Sequence, residues 1–341
     1  MEPELARLIG DVKCFTLSSA LLAAFELELF PRLHGGGASR PALCRELNLK
    51  ENIAFPFLDV LIANGYLSET DDGVELTQLS RSALPTFLEL QSWASEMSLT
   101  FASLAELPEL LRTGDTTTTP LSLFWSYKSH PGSLAALSRD QTTHYSRLMD
   151  ASGSDLYQLL ADTWDFDRYA RVVDLGGGFG GLGLTLARAT ESACFVVADL
   201  PSVMEGVTEE ARARGLAARV SAIGIDFLRD PLPSDADAYV LCRVLHDWDD
   251  DSAVGLLQNI GRSLKQGAEV VVVENLAPEG PTAEDPSSAA TALMLALLGG
   301  RRRSASDIRA LCHSADLEVK EVRPLGRSRL HLLVLGEGLR S

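Results

Sequence analysis

The sequence predicts a mixed α/β protein: a mainly helical N-terminal region followed by a doubly wound α/β domain. Three observations carry this. From residue 171 onward, short β-branched apolar runs alternate with amphipathic segments, the pattern of parallel strands and covering helices. A glycine-rich stretch, DLGGGFGGLG at 174–183, lies between one such run and one such segment. Residues 1–100 instead show helical periodicity and a single short hairpin signal, so the two ends of the chain follow different rules.

Taken in order, SSALLAAFELELFPRL (18–33) has helical periodicity and stops before HGGGAS. RPALCRELN (40–48) and IAFPFLDVLIAN (53–64) are further amphipathic segments, and GYLSETDDGVELT (65–77) reads as two strands around a DDG turn. Helices followed by a two-stranded wing are a winged-helix pattern. DNA binding is argued against by charge. Residues 1–100 hold 7 Lys+Arg against 14 Asp+Glu, and 53–64 has no cation, whereas a DNA reader needs cations for phosphates and polar side chains for base edges. A packing role, usually dimerisation, fits better. Residues 101–165 read as helices and loops. The strands then follow at 171–176, 193–200, 218–227, 237–245 and 268–276, separated by helices such as 182–190 and 252–264. The last two runs, 317–324 and 329–336, are consecutive and predict an antiparallel edge.

The net charge of −17 over 341 residues disfavours a nucleic-acid or anionic-membrane partner. No apolar run reaches the ~18 residues of a membrane span, and MEPELARLIG lacks the basic and apolar regions of a signal peptide. The expectation is a cytoplasmic protein. Five scattered cysteines without C-x-x-C indicate neither a disulfide framework nor a zinc ribbon.

Gly176, Gly178 and Gly181 fit G-x-G-x-x-G between a strand and a helix, and Asp199 ends the next strand, which is the context that makes this motif a nucleotide site. NAD and S-adenosylmethionine share that geometry. Asp174, two residues before the first glycine, would repel a diphosphate and suits a cationic cofactor. Asp226 and Phe227, at a later strand end, fit an adenine amine and its ring face. His246, in RVLHDWDDD (243–251), is a candidate general base, with a metal site and a plain structural histidine as the alternatives. Asp249, Asp250 and Asp251 suit the start of a helix, and no second histidine follows at i+3 or i+4.

The ordered set VVDLGGGFGG, VVADLP, IDFLRDPLP, LCRVLHDWDDD and VVVENL resembles the S-adenosylmethionine-dependent small-molecule O-methyltransferases of the acetylserotonin, caffeate and bacterial polyketide-tailoring type. The resemblance implies a Rossmann-like methyltransferase domain over 166–341, a helical linker and acceptor-pocket region over 101–165, and a winged-helix-like dimerisation domain over 1–100. It implies S-adenosyl-L-methionine as cofactor, held by Gly176, Gly178, Asp199, Leu200, Asp226, Phe227 and Arg243. It makes His246 the base and Glu274 its orienting carboxylate, for a small aromatic, phenolic acceptor and a homodimer. Met149, Trp125, Phe124 and Leu293 are implied acceptor lining. The sequence departs from the family at GGRRRSASD (299–307), where Arg302 replaces a glutamate that supports the histidine. A cation there would lower the basicity of a nearby imidazole. Leu293 stands in a usually polar slot, and Cys242 where bacterial relatives often have lysine. These departures keep open a cofactor-binding enzyme that does not methylate, and beyond it a non-enzymatic scaffold.

Overall fold

The computed structural model describes residues 3–124, 153–280, 286–326 and 330–338. The chain divides into two units, Met1–Ala105 and Glu106–Ser341.

The first unit runs α1 (Pro3–Glu26), α2 (Leu29–Arg32), α3 (Arg40–Glu46), α4 (Glu51–Ala63), the antiparallel hairpin β1 (Leu67–Thr70) and β2 (Gly73–Leu76), α5 (Gln78–Ser82) and α6 (Phe87–Leu104). The single helix expected over 18–33 is broken. Glu28 is left-handed, with φ 53°, and ends the run before α2. Ser39 and Thr77 cap α3 and α5 through their hydroxyls, satisfying amides that have no partner inside the helix. The core comprises Ala24, Leu29, Phe30, Leu33, Leu58, Leu61, Leu67, Val74 and Leu76. Arg40 joins the elements by ion pairs to Asp59 of α4 at 2.7 Å and Glu69 of β1 at 3.0 Å.

One sequence expectation fails here. Within α1, Arg7–Glu26 is 20 residues long with a hydropathy of 1.5, long and apolar enough to cross a membrane by length and composition. Asp11 and Lys13 interrupt the run, so no uncharged stretch of that length stands in the sequence. Leu5, Leu8, Val12 and Phe15 are all at least half exposed within this chain. A helix whose apolar stripe packs on another protein surface has the same composition.

The second unit opens with α7 (Leu107–Thr113) and α8 (Pro120–Phe124) and contains a seven-stranded sheet of order β5-β4-β3-β6-β7-β9-β8. Its strands are β3 (Arg171–Leu175), β4 (Cys194–Asp199), β5 (Val220–Gly224), β6 (Ala238–Cys242), β7 (Glu269–Asn275), β8 (Leu317–Pro324) and β9 (Leu330–Glu337). β5 to β7 form the parallel part. β9 runs antiparallel between β7 and β8, so the last two strands pair as expected, with β9 inside and β8 at the edge. Separate buried clusters cover the two faces, one around Phe166, Phe195, Val197 and Val240, the other around Val173, Tyr239, Leu241 and Val272. Burial on both faces is why these strands read as unbroken apolar runs rather than alternating ones. The strand order reverses direction between β3 and β6, and a crevice opens beyond the C-terminal ends of strands at such a point.

Arg219 closes a helix end that the site depends on. The helix Gly181–Ala189 follows the glycine loop, and Arg219 donates to the carbonyls of Ala187, Thr190 and Ala193 at its far end. Arg219→Leu is expected to leave these acceptors unpaired and to lower stability by about 1–3 kcal/mol, measured by urea unfolding of the full chain.

Candidate active site

β3 delivers the chain into the glycine loop. Gly176, Gly178 and Gly180 have φ of 72°, 55° and 85°, conformations that side-chain-bearing residues adopt at a cost. A Cβ at Gly176 would lie 2.9 Å from Val244, whereas one at Gly178 would meet nothing within 4 Å. Gly176 therefore serves close packing, and Gly178 faces open space. Asp174 is buried beneath the loop: a Cβ at Gly177 would lie 2.6 Å from its Oδ2, and one at Gly183 3.6 Å. Its carboxylate faces the underside of the loop and the following helix.

Asp199 ends β4. Its Oδ2 accepts the Gly178 amide at 2.8 Å and its Oδ1 the Leu200 amide at 2.7 Å. Burial pushes its carboxyl above the usual range, against the pull of these two amides. Each oxygen retains a second lone pair, a donor-accepting pair that suits two vicinal hydroxyls. Phe227, after β5, would lie 3.6 Å from a Cβ at Gly176, and its ring meets Trp248 edge to face with centroids 5.8 Å apart. The neighbouring Asp226 accepts the Leu228 amide at 3.1 Å and lies 3.6 Å from Arg229, so it also shapes its own turn. A glycine cradle, an acid with acceptor capacity and an aromatic ring at its edge fit a nucleoside with vicinal hydroxyls.

β6 and β7 supply the second half. Arg243 follows β6 with φ 59°, its amide bonded to the Val273 carbonyl at 2.9 Å; a left-handed arginine at a strand end is strained backbone of the kind that gathers at functional sites. Three residues on, His246 occupies a short 3-10 turn, Leu245–Asp247. Its Nδ1 is 2.5 Å from Glu274 Oε2, its amide donates to Glu274 Oε1 at 3.3 Å, and its Nε2 is 3.5 Å from Asp247 Oδ1. Glu274, near the end of β7, is almost fully buried. Burial opposes the imidazolium, but the Glu274 and Asp247 carboxylates outweigh it and the Arg243 cation, and the imidazole pKa rises above 6.5. Val244 packs on Gly176, so the base and the glycine loop share one end of the sheet.

Arg302, in the motif's glutamate slot, is held by main-chain carbonyls. It is buried and donates to the carbonyls of Leu276 at 2.8 Å, Ser288 at 3.2 Å and Asn275 at 3.4 Å. Its guanidinium ties the end of β7 to the helix Pro286–Leu297, and Arg243 is a cation that opposes the charged form of His246. Leu293 lies on that helix, 37% exposed. Trp125 and Met149 lie outside the described residues, as does the side chain of Phe124, the last residue of α8. Of the three consecutive acids, Asp249 caps the helix Asp250–Ser263 through the Ser252 amide at 2.7 Å. Asp250 instead pairs with Arg301 and Arg303. The sequence reading did not anticipate Asp247 and Arg303 in the site. Asp247 was legible as a second carboxylate adjoining the histidine, and Arg303 as the arginine that follows the motif's glutamate slot.

With this geometry the second unit has the fold class of a Rossmann-like methyltransferase. Residues 123–318, more than half of the chain, match the O-methyltransferase domain family. The chain belongs to the S-adenosylmethionine-dependent O-methyltransferase family. It is 30% identical over 261 residues to the 2,7-dihydroxy-5-methyl-1-naphthoate 7-O-methyltransferase of Streptomyces carzinostaticus, covering 76% of this chain and 75% of the relative. It is 34% identical over 174 residues to the mitomycin biosynthesis 6-O-methyltransferase of Streptomyces lavendulae, where the matched segment spans about half of each protein, 51% and 49%. The solved structure of the mitomycin 7-O-methyltransferase superposes with a TM-score of 0.86 at 25% identity, covering 98% of both chains.

Gly178→Ala places a methyl group in the open space above the loop. S-Adenosylhomocysteine affinity by calorimetry is expected to fall roughly tenfold or more, from the ~1–3 kcal/mol of overpacking in a filled site. Unchanged affinity would remove Gly178 from the cofactor site.

Proposed function

We propose that the protein transfers a methyl group from S-adenosylmethionine to a hydroxyl of a small, phenolic, natural-product-type acceptor, with His246 as general base. The observation that carries this reading is the 2.5 Å His246–Glu274 pair at the sheet end that also bears the glycine loop. The family and the relatives' aromatic acceptors support it.

When bound, S-adenosylmethionine supplies a methyl group already activated toward a nucleophilic oxygen. Gly176 and Gly178 would line it, Asp199 would take its ribose hydroxyls, and Leu200, Asp226 and Phe227 would flank the adenine. Arg243 would lie at the end nearest the base, with Asp174 acting as a charge from below. Holding the acceptor oxygen in line does most of the work in such a transfer. Met149, Trp125, Phe124 and Leu293 are proposed for that task, with Arg302 holding the helix that carries Leu293. His246 Nδ1–H donates to Glu274, which leaves the Nε2 lone pair to take the hydroxyl proton. Moving a proton fully from a phenol of pKa ~10 to a free imidazole of ~6.5 is uphill by roughly 5 kcal/mol. Glu274 and Asp247 reduce that gap by raising the imidazole's proton affinity, and transfer during alkylation avoids the rest, because the oxygen loses basicity then.

The pH dependence follows from the sign of that shift. The base must be neutral and its pKa is raised, so activity is full above that pKa and is lost as pH falls through it. The ascending limb of kcat/KM should lie above 6.5, and Glu274→Gln should move it down. His246→Ala should lower kcat by about 10²–10⁴-fold, with S-adenosylhomocysteine binding retained and Asp199→Ala losing it. The assay is mass gain of phenolic acceptors. Cofactor binding without any mass gain would instead support a non-methylating enzyme of the same fold.

The homodimer belongs to the same proposal. Leu5, Leu8, Val12 and Phe15 recur at helical spacing on an exposed face of α1, and a second copy of this chain is the proposed cover. Val12→Glu with Phe15→Glu should convert a dimer to a monomer in sedimentation velocity. A wild-type monomer would end this part of the reading.

A further inference from the structure

The turn that carries His246 has little structure of its own. It is a single 3-10 turn between β6 and the helix Asp250–Ser263, yet it must hold an imidazole against a carboxylate on a different strand. Residues 300–303 supply what the turn lacks. Gly300 lies so close that a Cβ would fall 2.4 Å from the His246 carbonyl oxygen. The Arg301 amide donates to that same oxygen at 2.8 Å. Arg303 Nη1 donates to the Leu245 carbonyl at 2.7 Å and Nη2 to the Trp248 carbonyl at 2.8 Å. Three carbonyls of the turn are thus taken up by one short loop. Arg303 is 3% exposed, and its Nε and Nη2 also bond Asp250 Oδ1 at 2.9 and 2.7 Å.

The backbone of Arg303 faces the other partner. Its carbonyl accepts the Ala277 amide at 2.8 Å, three residues beyond Glu274 along the extension of β7. One residue therefore grips the His246 turn with its side chain and the Glu274 strand with its main chain. We infer that Arg303 is a positioning residue for the proposed methyl transfer, setting the distance between His246 and Glu274. A planar guanidinium suits the task, because its nitrogens diverge toward two carbonyls and a carboxylate at once, and a lysine ammonium has no such fork. This inference rests on His246 acting as the base.

The test uses the full chain and variants Arg303→Lys and Arg303→Ala, with Asp250→Asn as a milder change that removes the carboxylate Arg303 shares with Arg301. Two readouts are taken: steady-state methyl transfer, and the His246 imidazole titration followed by NMR, assigned with His246→Ala. The groups facing that imidazole are Glu274 on β7, Asp247 on its own turn and Arg243 at the end of β6. Loosening the Glu274 contact should move the titration down toward ~6.5. kcat should fall by about 10–100-fold, the scale of a misplacement near 1 Å, while the KM for the cofactor stays as in wild type. Added guanidinium should restore part of kcat to Arg303→Ala and none to Arg303→Lys. If either variant fails to fold, Asp250→Asn should show the same two changes at smaller size. A folded variant with an unaltered titration and unaltered kcat would overturn the inference and leave Arg303 as a stability clamp. Absence of methyl transfer by the wild type would count against the proposed function, and the titration would still decide the role of Arg303.

Discussion

A buried carboxylate, Glu274, sets the terms for everything around it. An ionised carboxylate out of water is costly unless it is paired and hydrogen-bonded. Glu274 is satisfied by both the imidazole and the backbone amide of His246. These two hydrogen bonds to one residue are brought within reach by β6 and β7 being adjacent and parallel, with Cys242 opposite Val273. The two strands release their chains at the same edge, and the histidine turn folds back over the glutamate. Nδ1 then faces Glu274, while Nε2 lies 3.5 Å from Asp247 Oδ1.

The same edge organises the other half of the site. β4, β3 and β6 are consecutive in the sheet, so Asp199, the glycine loop and the histidine turn arise from successive strands. Close approach there depends on missing side chains. Gly176 admits Val244, Gly177 and Gly183 cover Asp174, and Gly300 admits the His246 carbonyl. Arginines fill the complementary role. Arg219, Arg302 and Arg303 each spend several donors on main-chain carbonyls, which stiffens loops that have no ladder of their own. A protein with a net charge of −17 thus uses buried and half-buried arginines as splints.

Much of this was legible from one chain of letters. The alternation of apolar runs and amphipathic segments set the α/β class, because strands buried on both faces must be apolar throughout. Gly176, Gly178 and Asp199 were found from spacing, since backbone approach to a ligand imposes it locally. His246 and Glu274 came from the order of five motifs rather than from chemistry, as nothing in local spacing joins residues 28 apart. The misses have physical causes. Glu28 broke a helix that periodicity had carried through, because one left-handed residue leaves the pattern intact. Arg302 stands in the motif's glutamate slot, and its guanidinium is taken up by the carbonyls of Asn275, Leu276 and Ser288.

The sequence by itself determined the class of fold, the strands that end at the site, and the glycine loop with its acid. These are set by periodicity and by short-range spacing, which the chain carries within a few turns or strands. Only the tertiary structure decided that Asp174 lies beneath the loop, that Asp247 flanks the imidazole, and that the second and third of three adjacent arginines face different elements. Each of these depends on which direction a side chain takes once distant strands have been brought together, and no local pattern records that direction.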